Sequence, residues 1–284
     1  MMTVGVIGLG LIGGSLAKAV HEADSFKVYG TDANPKVVDM ALSEGTLAEE
    51  LNKDNAKDCD LFIVALYPKD VAAVIRYYSS YMKKGAIVVD CTGVKSKVCA
   101  DLSKYLADKD IHFVGGHPMA GKEVAGYENA ESSMFSNASM ILCRDEYTDE
   151  DAFKKMHDFF LSIGFKRIKE TTPKEHDAVI AYTSQMAHVI SNAYIKSDTL
   201  HNRYGFSAGS FKDLTRVAYL NEYMWTDLFL ENKDSLLKEI DTFMENMSKY
   251  RDALANENKE ELIKLLGRGR ELKEEDNNKE NQMG

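Results

Sequence analysis

The residue best suited to acid–base chemistry in this sequence is His117, in the segment GGHPMAGKEVAG at positions 115–126. An apolar run typical of a buried strand precedes it, two glycines allow a close approach of the backbone, and Pro118 restricts the chain after it. An isolated histidine most often satisfies local backbone groups. A histidine on a rigid turn at the carboxyl end of a strand, however, lies where open α/β sheets bind ligands. Since its unperturbed pKa is close to neutral pH, it could accept a proton there.

A second chemical signal is the glycine pattern near the beginning of the chain. The apolar strand candidate TVGVI leads directly into GLGLIGGS, and a helical period follows. This is G-x-G-x-x-G between a strand and a helix, the arrangement that binds a dinucleotide. Gly8 permits the tight turn, Gly10 lets the backbone reach a pyrophosphate, and Gly13 lets the helix pack on the strand. The N–H groups that begin the helix, including those of Leu11 and Ile12, would hold the phosphates.

An acidic residue follows at the expected distance. The next strand candidate, FKVYGT, ends at Asp32, about 20 residues beyond the glycines, where a carboxylate accepts from a ribose 2′-hydroxyl. The same carboxylate would repel a 2′-phosphate. The sequence therefore predicts NAD rather than NADP as the cofactor.

Composition and charge limit the function classes. The chain has 284 residues, 44% of them hydrophobic, and a net charge of −10, which argues against nucleic-acid or anionic-membrane binding. An anionic substrate would need local cations. Four scattered cysteines predict reduced thiols and no metal site, and with no signal peptide expected before the first strand we predict a cytoplasmic protein.

The elements that must position these residues alternate in the first part of the chain. Apolar runs predict strands at 60–66, 86–90, 111–115, 139–142 and 166–168, and helical spacing predicts helices at 35–43, 71–81, 96–106 and 149–163. This alternation predicts a Rossmann-type, doubly wound, mostly parallel α/β sheet over residues 1–171, the dinucleotide-binding domain.

Residues 172–284 predict an all-helical domain. Apolar residues follow a helical period at 179–200 and again at 224–254, where one long helix is expected. So much apolar surface in a small helical domain predicts burial against a second copy, a homodimer; an intramolecular bundle is the alternative. Residues 268–284 are charged, without an apolar period, and predict a frayed tail.

Taken together, these motifs resemble the prephenate/arogenate dehydrogenase family of tyrosine biosynthesis. The resemblance rests on GLGLIGGSLA, DCTGVK, GGHPMAGKEVAG, HDAVIAYTSQMAH and FKDLTRVA, which span nearly the whole chain. It implies NAD-dependent oxidative decarboxylation of prephenate to 4-hydroxyphenylpyruvate. The length leaves no room for a fused chorismate mutase or regulatory domain, so a core enzyme is expected.

The resemblance also implies roles for individual residues. His117 is the proton acceptor, Arg216 binds a substrate carboxylate, and His188 lies near the substrate side chain. Glu123 gates the site by pairing with the arginine, and Asp213 reaches that pair across a dimer interface.

Two positions depart from the family pattern. Gly93 stands where many members have a serine that orients substrate and nicotinamide, so Thr92 is the candidate substitute. Gln185 replaces the first histidine of H-x-x-H, which leaves prephenate and arogenate both open as substrates. Lys95 is a candidate cation for the substrate, although a solvated lysine is the simpler interpretation.

Two other function classes stay open on the sequence. Another β-hydroxyacid dehydrogenase would usually carry a lysine in the catalytic helix, where this chain has Gln185 and His188. A non-catalytic NAD-sensing protein would keep the glycines and Asp32 but would not need the HPMAG segment.

Overall fold

The computed structural model describes residues 1–122, 124–206 and 208–283, and an eight-stranded sheet forms its centre. The strand order is β3-β2-β1-β4-β5-β6-β7-β8, with every neighbouring pair parallel except β6 and β7. The strands are β1 (Met2–Ile7), β2 (Phe26–Thr31), β3 (Glu49–Glu50), β4 (Leu61–Val64), β5 (Ile87–Asp90), β6 (His112–Pro118), β7 (Ser139–Cys143) and β8 (Arg167–Thr171). This confirms the predicted mostly parallel sheet.

Helices cover both faces of the sheet, because its central strands are apolar on both sides. Leu16 of α1 and Phe160 of α5 lie in one core cluster, whereas Ile75 of α3 and Leu102 of α4 lie in the other, and all four are fully buried. The five helices of this part are α1 (Leu11–Glu22), α2 (Pro35–Ser43), α3 (Pro68–Tyr78), α4 (Ser96–Ala107) and α5 (Glu150–Ser162). The arrangement is the doubly wound fold that the alternation predicted.

Strand β6 is longer than the sequence predicted. Its pairing with β5 ends at Val114, but β7 arrives antiparallel and pairs with the next residues, placing His117 opposite Ile141. His117 therefore lies within a strand and not on a turn after it. Sequence alone missed this because the antiparallel partner lies more than twenty residues further along the chain.

After β8 the described residues form helices and turns without a further strand. The helices are α6 (Pro173–Ile180), α7 (Met186–Tyr194), α8 (Gly209–Thr215), α9 (Glu222–Glu231), α10 (Lys233–Ala255) and α11 (Lys259–Met283). A π-helical segment, Ala181–Gln185, joins α6 to α7. This continuous helix ends at Tyr194, earlier than the helical period predicted over 179–200.

The single long helix expected at 224–254 is wrong, because Asn232 divides it into α9 and α10. The buried Asn232 amide donates to Asp177 O and to Gln185 Oε1, both at 2.8 Å. These bonds hold Asn232 at φ −109° and ψ 26°, outside helical geometry. A buried amide needs such partners, and here they lie on a distant segment.

The frayed tail expected at 268–284 is also wrong as far as the described residues extend, since α11 runs to Met283. Ion pairs three or four residues apart support the helix in place of an apolar face, among them Arg268–Glu271 and Arg270–Glu274. The chain divides into two compact units, residues 1–233 and residues 234–284. No described helix is long and apolar enough to cross a membrane.

Candidate active site

The glycine-rich segment forms a tight loop between β1 and α1. Gly8 has φ +87°, and a Cβ there would lie 2.4 Å from Ala65 O, so only glycine fits without strain. A Cβ at Gly13 would lie 1.8 Å from Gly8 O, which shows how closely α1 packs on the loop. At Gly10 a Cβ would meet nothing within 4 Å, so this part of the loop is open to a ligand. The first N–H groups of α1, those of Leu11, Ile12 and Gly13, have no acceptor within the helix.

Asp32 follows β2 directly and joins this loop. Its Oδ2 accepts from Leu9 N at 2.7 Å and its Oδ1 accepts from Asn34 N at 2.8 Å. Each carboxylate oxygen keeps a second lone pair, which can accept from a ribose hydroxyl. The loop and Asp32 therefore have the donors, the space and the acceptor that a dinucleotide requires.

His117 hydrogen-bonds a histidine that the sequence did not single out. Its Nδ1 lies 2.8 Å from Nε2 of His176 on α6, and His176 Nδ1 lies 2.8 Å from Asp177 Oδ1. Burial lowers the pKa of His117 well below its ordinary value of 6.5, and the neighbouring His176 and Lys95 lower it further, while Asp177 acts in the opposite direction. His117 is consequently neutral at physiological pH and able to accept a proton.

Asp177 anchors this pair of histidines to α4. Its Oδ1 accepts from Lys95 N at 2.7 Å and its Oδ2 accepts from Ser96 N at 2.8 Å, at the beginning of that helix. The only signal in the sequence was the adjacent His-Asp pair in HDAVIAYTSQMAH. That pair could not reveal that His176 contacts His117, which lies 59 residues earlier in the chain.

Lys95 is buried, which corrects the expectation of a solvated lysine. Its side chain is 0% exposed, pairs with Asp90, and donates to Gly116 O at 2.6 Å and to Thr92 Oγ1 at 3.0 Å. With three acceptors and no exposed surface, the ammonium group holds the ends of β5 and β6 together beside His117. It does not present a cation to solvent.

Thr92, the candidate replacement for the family serine, belongs to the same buried group. Its hydroxyl lies 2.5 Å from Asp90 Oδ2 and 2.9 Å from Val94 O. Gly93, by contrast, faces the base: a Cβ built there would lie 3.9 Å from His117 Nε2 and 3.3 Å from Leu228 Cδ2. The Nε2 edge of His117 is thus the edge next to Gly93 and α9.

His188 and Arg216 lie close together in the helical part of the chain. His188 Nδ1 donates to Val217 O at 3.0 Å, and its ring lies 3.7 Å from that of Trp225 on α9. Burial lowers the pKa of His188, and the charge of Arg216 contributes in the same direction, although the bond to Val217 opposes it. Arg216 is exposed on the turn after α8, and Glu123 lies outside the described residues.

Helix α9 connects the two histidine sites. Trp225 contacts His188, and Leu228, one turn further along α9, lies beside Gly93, the residue that faces His117 Nε2. Gln185 is 1% exposed and donates to Leu228 O at 3.0 Å, so it fixes α9 in place and presents no polar group to a ligand. His117, His188 and the face of α9 between them form the candidate active site.

Comparison with known proteins identifies both parts of the chain. Residues 16–169 match the nucleotide-binding domain of prephenate dehydrogenase, and residues 172–268 match the dimerization domain of prephenate dehydrogenase.

Two curated relatives cover most of the chain. The cyclohexadienyl dehydrogenase of Zymomonas mobilis is 32% identical over 277 residues, covering 92% of this chain and 91% of that protein. The prephenate dehydrogenase of Bacillus subtilis is 29% identical over 274 residues, covering 93% of this chain and 73% of that protein.

A solved structure is also similar. The prephenate dehydrogenase of A. aeolicus, in complex with hydroxyphenyl propionate and NAD+, is 28% identical with a TM-score of 0.86, covering 97% of this chain and 98% of that chain. The fold, the glycine-rich loop and both domain matches agree: the chain belongs to the prephenate dehydrogenase family of NAD-dependent oxidoreductases.

Proposed function

We propose that this chain catalyses the NAD-dependent oxidative decarboxylation of prephenate to 4-hydroxyphenylpyruvate, in tyrosine biosynthesis, and that His117 accepts the proton of the substrate's 4-hydroxyl group. The observation that carries the proposal is the partly buried imidazole of His117, which the lowered pKa keeps neutral and whose Nε2 edge faces Gly93. Both this histidine and the glycine-rich loop lie at the carboxyl edge of the parallel strands, where such sheets bind ligands.

The reaction needs no catalytic base at a carbon atom of the substrate. The hydroxyl proton passes to His117 Nε2, a hydride leaves C4, and the bond between C1 and its carboxylate breaks to release CO2 and form the aromatic ring. The proton held by His117 then returns to the phenolate oxygen, which gives the 4-hydroxyphenyl product. Bound NAD supplies the hydride acceptor. Because aromatisation drives the loss of CO2, the residues need only take the proton, align the ring and hold the anionic groups.

Arg216 and His188 are the candidates for holding the substrate. Prephenate is a dianion and the chain has a net charge of −10, so a local cation is required. The guanidinium of Arg216 can bind a carboxylate through two parallel hydrogen bonds. Because His188 Nδ1 donates to Val217 O, its Nε2 stays available to the substrate.

The test is purified protein with NAD and prephenate, followed by NADH absorbance and by release of 4-hydroxyphenylpyruvate. His117→Ala should keep its affinity for NAD and lose most turnover, because a positioned base is worth about 10²–10⁴-fold in rate. His112→Ala, at the other end of β6, is the matched control and should keep its activity.

Three results would contradict the proposal. Turnover of arogenate without turnover of prephenate would reassign the substrate. Failure to oxidise either compound would reject the activity. Retention of more than about a tenth of wild-type kcat by His117→Ala would reject the base role.

We further propose that two copies of the chain form a homodimer through their helical parts. Residues 172–268 match a dimerization domain, and apolar side chains of α10 are exposed at heptad-like spacing. These are Leu237, Met244, Met247 and Leu254, at 49%, 60%, 52% and 63% exposure.

A further inference from the structure

His117 is the end of a chain of three hydrogen-bonded groups that starts at a buried carboxylate. Asp177 and His176 are 3% and 2% exposed, and each contact in the series Asp177–His176–His117 is 2.8 Å long. Water has little access to Asp177 and His176, and His117 is partly buried. The protons in this series must therefore be placed by the members themselves and by the groups packed around them.

The position of each proton follows from the carboxylate. Burial alone would raise the pKa of Asp177, but hydrogen bonds from His176 and from the backbone N–H groups of Lys95 and Ser96 bring it below its ordinary 3.8. The carboxylate is ionised and can only accept, so His176 carries its proton on Nδ1.

The same argument gives the position of the proton on His117. Burial lowers the pKa of His176 although its bond to Asp177 acts in the opposite direction, so His176 is neutral at physiological pH and its Nε2 is a lone pair. His117 must then donate from Nδ1. The remaining lone pair of His117 is on Nε2, the atom next to Gly93.

We propose that His176 is a positioning residue for this reaction: it holds His117 in the tautomer whose Nε2 is the base, and it takes the Nδ1 proton of His117 when Nε2 is protonated. This inference rests on the proposed function. The proton balance is complete: the O–H bond of the substrate hydroxyl and the Nδ1–H bond of His117 break, and N–H bonds form at His117 Nε2 and at His176 Nε2. No electron is transferred between the rings.

The surrounding charges favour this transfer. A cation left on His117 has the buried ammonium of Lys95 nearby and only an indirect link to Asp177. A cation on His176 is hydrogen-bonded directly to the Asp177 carboxylate. Lys95 acts against a cation on either ring, and at His176 its ion-pair partner Asp90 offsets part of that effect.

Two substitutions of His176 separate its effect on the tautomer of His117 from its acceptance of the Nδ1 proton. In His176→Gln, an amide oxygen can still accept from His117 Nδ1, so the tautomer is kept, but the amide cannot take a proton. In His176→Phe, both functions are lost. We expect kcat to fall in the order wild type, Gln, Phe. The loss in the Phe variant should be about ten- to a hundred-fold, the range for a hydrogen bond to a charged group. KM for NAD should be unchanged.

The pH profile gives a readout that a merely structural histidine would not change. In His176→Gln the positive charge must stay on His117, so the pKa on the acidic limb of kcat/KM should move downward. His112→Gln, on the same strand, is the control and should leave both kcat and the profile as they are. Equal kcat in wild type and His176→Phe, or an unchanged acidic limb in His176→Gln, would overturn the proposal.

Nitrogen NMR of the 15N-histidine-labelled full chain tests the tautomer without any substrate. We expect His117 with its proton on Nδ1 in wild type and in His176→Gln, and a mixture of tautomers in His176→Phe. A proton on Nε2 in wild type would overturn the inference even if prephenate is turned over. The expected tautomer in a protein that does not oxidise prephenate would reject the proposed function and leave the hydrogen-bond assignment standing.

Discussion

His117 and His176 should make the folded protein sensitive to acid. Burial keeps the pKa of both below 6.5 in the folded state, so the unfolded chain binds more protons as the pH falls through 6.5. Stability is therefore expected to decrease below pH 6.5, by up to about 1.4 kcal/mol per pH unit for each group. Urea unfolding at fixed protein concentration, at pH 7.5 and pH 5.5, measures the effect.

Two histidine variants test whether His117 contributes to this loss of stability at low pH. His117→Gln should show a smaller decrease between the two pH values than wild type, because one of the two buried imidazoles is gone. His201→Gln, which changes an exposed histidine, should behave as wild type. Equal pH dependence in all three proteins would contradict the neutral, buried state of His117.

Arg216 is the residue on which binding of the dianionic substrate should depend. If the guanidinium contacts a carboxylate equally in ground and transition states, Arg216→Ala raises KM for prephenate and spares kcat. A charged hydrogen bond predicts an increase of about ten- to a hundred-fold, with KM for NAD little changed. Arg216→Lys should recover only part, since lysine lacks the planar fork.

Lys212→Ala, on the exposed surface one turn earlier in α8, is the control for lost positive charge. It should leave KM for prephenate near the wild-type value. An unchanged KM in Arg216→Ala would mean that this arginine makes only structural pairs, and the carboxylate site would have to be sought around His188.

At the scale of elements, the end of β2 should decide the cofactor. Asp32 contacts the glycine-rich loop through Leu9 N. We expect its carboxylate to accept from a ribose 2′-hydroxyl and to repel a 2′-phosphate. We expect kcat/KM for NAD to exceed that for NADP, and Asp32→Asn to narrow the difference. Equal values in wild type would reject this role of Asp32.

Elements were predictable where local pattern decides them. The strands β1, β2, β4 and β5 are apolar runs that local pattern predicts, and α5 begins at a side-chain cap from Asp149. Strand β3, two exposed glutamates, has no such pattern. The prediction failed where a distant segment intervenes. Strand β7 extends β6 through His117, and bonds to Asp177 and Gln185 place Asn232 between α9 and α10.

At the scale of the whole molecule, association should depend on the apolar stripe of α10. We expect light scattering at micromolar concentration to give a dimer mass. Met244→Glu combined with Met247→Glu should weaken the dimer, because buried charges without partners are costly. Lys238→Glu is the matched control, since position 238 lies on the opposite face of α10 from Met247. A monomeric wild-type protein would contradict the homodimer.

The sequence by itself determined the parts of this protein that depend on neighbours along the chain. The glycine-rich loop, the carboxylate at the end of β2 and the alternation that builds a parallel sheet all follow from residues close together in sequence. His117 also stood out, because glycines and a proline flank it.

Only the tertiary structure decided what surrounds His117. The hydrogen bond to His176 joins residues 59 positions apart, and the backbone bond from Lys95 to Asp177 joins residues 82 apart. Lys95 was expected in solvent but is buried, because Asp90 and the end of β6 supply its acceptors. Protonation states depend on burial and on charges in contact, and both are properties of the folded chain.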